Sequence, residues 1–72
     1  PKYSEGYSQL GLAQLTKEQY ADAVSSFKSA VSYNSGNSQA HYGLGRAYFK
    51  QGLYDEALKE LNTSCLLYTS PS

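Results

Sequence analysis

Shifted by 34 residues, the chain matches itself: Ser4 falls on Ser38, Leu10 on Leu44, Gly11 on Gly45 and Ala13 on Ala47. The register continues with Tyr20 on Tyr54 and Ala23 on Ala57, and with Val24/Leu58 and Phe27/Leu61 as conservative pairs. A fixed period of this length marks a stacked array of helix–turn–helix units. One unit cannot bury its apolar face alone, so neighbours bury it for each other. The period predicts an all-α solenoid of two antiparallel helical hairpins, a fold that works by offering a surface.

Hydrophobic periodicity places four helices. The first is predicted from Ser4 to Thr16, with Tyr7, Leu10, Gly11 and Gln14 on one face, Leu15 beside it and Ser4 as N-cap. The second runs from Lys17 or Glu18 to Tyr33, with Tyr20, Ala23, Val24, Phe27, Ala30 and Val31 as its apolar stripe. Asn34-Ser35-Gly36-Asn37 is the break, since Gly and Asn both favour turns and tolerate the left-handed region. The third runs from Ser38, its expected cap, to Gln51, with His41, Leu44, Gly45 and Tyr48 inward and Gly52 as the C-terminal glycine. The fourth starts at Tyr54 or Asp55, carries Tyr54, Ala57, Leu58 and Leu61 inward, and has Asp55 and Glu56 where they complement the helix dipole.

Gly11 and Gly45 recur in mid-helix, where each costs about 1 kcal/mol against alanine in propensity. A glycine kept twice in register marks a close helix–helix approach, with Ala23 and Ala57 on the facing helix.

Composition narrows the function. Six basic and six acidic residues in 72 give a net charge of zero, a poor match to nucleic acid or an anionic membrane, which call for a basic stripe. No apolar run reaches the roughly 18–20 residues of a membrane span. Cys65 is the lone cysteine, which excludes an internal disulfide framework. Gly43-Leu44-Gly45 lies within a helix and lacks the strand and acidic residue of a dinucleotide fold. Asp55, Glu56 and Glu60 read as a solvated helix face. No catalytic, cofactor or metal constellation is expected, and the chain reads as a non-enzyme.

The run Ala40 to Ala57 resembles a tetratricopeptide repeat, with His41, Leu44-Gly45, Tyr48, Gly52, Tyr54, Ala57 and Leu61 at the family's positions. The first copy supplies Tyr7, Leu10-Gly11, Tyr20, Ala23, Phe27 and Ala30. It departs at Gln14, where an aromatic is usual, and at Glu18, where glycine is usual; both changes weaken the first hairpin. His41 replaces the family's bulky aromatic and is expected to be packed. The resemblance implies a right-handed superhelix with residues 4–37 and 38–71 as the two repeats, and 1–3 as the end of a preceding one. Its last eight residues, Cys65 to Ser72, resemble one reading frame of a transposase sequencing adapter and are expected to be non-native. The rival reading is a genuine helix end, with Leu66 and Leu67 in the core.

The resemblance also implies a function: a scaffold that binds a protein, as a peptide or partner helix, in a concave groove. That groove maps to Glu5, Ser8, Gln9, Leu12, Leu15 and Thr16 of the first copy and to Gln39, Tyr42, Gly43, Arg46, Phe49 and Lys50 of the second. Leu12, Gln39, Tyr42, Arg46, Phe49 and Lys50 are the residues expected to carry contact. Tyr42, Arg46 and Phe49 lie at i, i+4 and i+7, and aromatics with arginine are enriched at interface hot spots. The basic and amide set with which one subgroup grips a chaperone's C-terminal carboxylate is missing, because Ser8, Leu12 and Gly43 hold those places. Two other roles fit the same sequence: the substrate-docking arm of a larger enzyme, and a self-assembly module.

Overall fold

The computed structural model describes residues 2–68, with side chains described for 3–63. Four helices follow one another: α1 (Lys2–Thr16), α2 (Tyr20–Tyr33), α3 (Ser38–Lys50) and α4 (Tyr54–Tyr68), with no strand among the described residues. α1 pairs with α2 and α3 with α4 as antiparallel hairpins, and α3 also leans on both helices of the first hairpin. The result is an α-solenoid segment of 37 × 29 × 17 Å.

The core is made largely of small residues. Ala23, Phe27, Ala30, Ala40, Leu44 and Ala47 form one buried cluster, with Tyr7, Leu12, Leu15, Val24, Val31 and Tyr48 packed against it. Phe27 is its one large, wholly buried apolar side chain. Its ring lies against Gly11 of α1 and Gly43 of α3, and a methyl group added at Gly11 would stand 2.8 Å from a ring carbon. Gly45 does the same for the second hairpin, where an added methyl would meet Leu61 at 2.8 Å and the Ala57 carbonyl oxygen at 3.2 Å. The recurring glycines are thus points of close helix approach, as expected, with Ala57 facing Gly45, while the nearest atoms at Gly11 belong to the Phe27 ring and not to Ala23.

The turns show how local chemistry ends each helix. After α3, Gly52 adopts φ +83°, the left-handed geometry glycine tolerates. The matching place after α1 holds Glu18 at φ 64°, so the first turn forms with a side chain where the second uses none. The α2–α3 break does not use a left-handed glycine. There the Gly36 N–H donates to Asn34 Oδ1 at 3.0 Å, a side-chain turn.

Several expectations are corrected. α3 is capped by Asn37, whose Oδ1 accepts from the Ala40 N–H at 3.0 Å, while Ser38 is already helical. Ser4 is no cap: α1 starts at Lys2, and the buried Ser4 hydroxyl donates to the Ala30 carbonyl at 2.8 Å. Leu10, Tyr54 and Leu58, expected inward, are 47%, 59% and 60% exposed. Leu44, the repeat partner of Leu10, is 4% exposed because α3 has the first hairpin behind it. No described element covers the outer sides of α1 and α4. Gln14 compensates for its missing ring by accepting from the Ser26 hydroxyl of α2 at 2.6 Å. Pro1, and the side chains of Cys65, Leu66 and Leu67 with the adapter-like run to Ser72, lie outside what is described.

Candidate functional site

α3 presents Tyr42, Arg46, Phe49 and Lys50 along one side: Arg46 follows Tyr42 by four residues, and Phe49 and Lys50 follow Arg46 by three and four. With Leu61 of α4 they line an open, mainly apolar hollow of about 270 Å³. The Arg46 guanidinium carbon stands 5.8 Å from the Tyr42 ring centroid, within cation–π range. Phe49 meets the ring of Tyr54 edge-on, with centroids 5.2 Å apart. Tyr42 and Phe49 remain 45% and 55% exposed although their faces are apolar.

Four of the six residues expected to carry contact therefore line one hollow. Gln39 is exposed but outside it, and Leu12 is half-buried against the core. Ser8 and Gly43, mapped to the groove from sequence, are buried instead. Asn37 Nδ2 donates to the Ser8 hydroxyl at 3.0 Å and to that of Ser4 at 2.8 Å, tying the α3 cap to α1. Gly43 is covered by the Phe27 ring.

Sequence reasoning missed Leu61 as a lining residue, since it was assigned to the core with Phe27. The repeat register held the signal: Phe27 is covered by α3, and no described helix takes that place over Leu61.

His41 is packed, as expected. Its Nδ1 lies 2.7 Å from Glu60 Oε1 on α4 and its Nε2 2.9 Å from the Ser35 carbonyl oxygen, so the ring ties α3 to α4 and to the preceding turn. Among the described residues no group of three or more His, Cys, Asp or Glu could hold a metal ion. None of the described helices is long and apolar enough to cross a membrane.

The sequence model described as tetratricopeptide repeat matches residues 8–65, most of the chain. The chain belongs to the tetratricopeptide repeat family. Among curated proteins it is similar to Superkiller protein 3 of Schizosaccharomyces pombe (strain 972 / ATCC 24843), 32% identical over 66 residues. That match covers 92% of this chain and 5% of the length of the relative. Tetratricopeptide repeats generally mediate protein–protein interaction and are typically non-catalytic. The four helices, the paired mid-helix glycines and Gly52 are this chain's version of the repeat.

Proposed function

We propose that this tetratricopeptide segment docks a protein partner, as a peptide or helix, on the face of α3 that carries Tyr42, Arg46, Phe49 and Lys50. The observation that carries the reading is the exposed apolar hollow these side chains line with Leu61. Water-exposed aromatic faces flanking an arginine gain most when a partner desolvates them, which is why such groups dominate interface energetics.

A displayed-peptide selection on the immobilised chain tests this, with Tyr42→Ala, Arg46→Ala and Phe49→Ala as counterscreens. All three side chains are exposed, so helicity should be unchanged while selected peptides lose binding. Peptides that bind all three variants as well as the parent chain would sink the assignment.

A further inference from the structure

We infer that His41, Glu60 and the Ser35 carbonyl form a proton-operated clip, closed in mild acid and released as pH rises, that holds α3, α4 and the turn before α3 together.

The geometry calls for one proton more than a neutral histidine and an ionised glutamate bring. His41 Nδ1 lies 2.7 Å from Glu60 Oε1, and Nε2 lies 2.9 Å from the Ser35 carbonyl oxygen. A backbone carbonyl only accepts, and so does an ionised carboxylate. A neutral imidazole has a single N–H, so one of its nitrogens would turn a lone pair on an oxygen. Both contacts are hydrogen bonds only when the pair keeps a proton, as imidazolium beside carboxylate or as imidazole beside carboxylic acid. The two forms hold the same number of protons, so the pair titrates as a unit. The side chains are 12% and 22% exposed, which leaves water poorly placed to replace either bond.

Glu60 is the one ion-pair partner of His41 among the described residues. The 34–37 turn carries no charged side chain. Arg46 and Lys50 on α3 are exposed, as are Asp55, Glu56 and Lys59 on α4. Glu5 on α1 and Asp22 and Lys28 on α2 are exposed too, where salt and water screen them. The unfolded chain has no such pair to keep the proton. The folded chain therefore binds more protons near neutrality, and its stability falls as pH rises.

The device belongs to the second hairpin alone. Stepping back 34 residues turns His41 into Tyr7 and Glu60 into Ser26. Tyr7 stacks on the ring of Tyr33 at 5.7 Å between centroids, and the Ser26 hydroxyl donates to Gln14. Neither contact involves a group that changes charge near neutral pH as histidine does. Tyr42 follows His41 and Leu61 follows Glu60, and these two line the hollow from α3 and α4. Release of the clip frees the two walls to move apart. That consequence for docking rests on the reading above; the clip itself does not.

Urea unfolding of the 72-residue chain between about pH 5.5 and 7.5 tests it, the range in which histidine titrates, and His41 is the lone histidine. Two variants serve as references. His41→Tyr restores the residue of the first copy. Glu60→Gln supplies an amide that can donate to Nδ1 while a neutral imidazole donates from Nε2, so no extra proton is needed. Across this range the unfolding equilibrium constant of the parent chain should rise about threefold more than that of either variant, as a partly exposed ion pair allows. Proton–nitrogen NMR spectra of the parent should show the ring nitrogens of His41 titrating in step with the amides of Tyr42 and Leu61.

A parent curve parallel to that of the variants would overturn the clip, and so would a parent that gains on them as pH rises. Ring nitrogens that titrate while the Tyr42 and Leu61 amides stay unmoved would overturn it as well. Should His41→Tyr fail to fold, Glu60→Gln carries the comparison, since its change conserves shape at a partly exposed side chain.

Discussion

The ring of Phe27 on α2 closes on the bare backbone of Gly43 on α3, with Gly11 of α1 also against it. This contact brings three helices together through one side chain, and most of the remaining core is alanine. The position of α3 against the first hairpin therefore depends on a residue that has no side chain.

Gly43→Ala should destabilise the fold by about 1–3 kcal/mol, although alanine is the better helix former by about 1 kcal/mol. Gly6→Ala, on the exposed side of α1 with nothing within 4 Å of an added methyl, should stabilise it by up to about 1 kcal/mol. Urea unfolding of the two variants checks the opposite signs. Adding Phe27→Leu to Gly43→Ala should recover part of the loss by making room at the ring.

Glu18 holds a left-handed φ of 64° where the second hairpin has Gly52. A side chain in that region costs roughly 1–2 kcal/mol, and glycine returns up to about 1 kcal/mol of that in unfolded-state entropy. Glu18→Gly should raise stability and Gly52→Ala should lower it, each by about 0.5–1 kcal/mol once strain and unfolded-state entropy are set against each other. Thermal melts of both variants would show whether the two turns carry the same constraint.

Asn37 is hydrogen-bonded to the Ala40 N–H, Ser4 and Ser8. Asn37→Ala removes a cap worth about 1 kcal/mol and leaves the Ser8 hydroxyl without that partner at a further cost of about 1–2 kcal/mol. Ser38→Ala, at a residue already inside the helix and not at its cap, should cost less than Asn37→Ala. Denaturant titration ranks them, and a reversed order would return the capping role to Ser38.

Much of the fold was legible because a repeat states its packing twice. Gly11, Gly45, Ala23 and Ala57 are recognisable as contact points because each has a partner 34 residues away. The pattern also presumes neighbours on both sides, which is why Leu10, Tyr54 and Leu58 read as core and are exposed in this segment. Ser4, Ser8 and Asn37 read as surface or capping residues, since nothing local shows that three polar side chains meet beneath α3. At the site, helical spacing puts Tyr42, Arg46, Phe49 and Lys50 in one row. The share of Leu61 depends on whether a helix covers it, which spacing does not encode.

The central claim is that docking occurs on the α3 face over Leu61, and hydrogen–deuterium exchange of the chain with a saturating selected peptide tests it most directly. Amides of α3 between Tyr42 and Lys50, and those around Leu61, should exchange more slowly in the complex, with α1 and α2 little changed. Protection confined to α1 and α2, with α3 exchanging as in the free chain, would contradict the account.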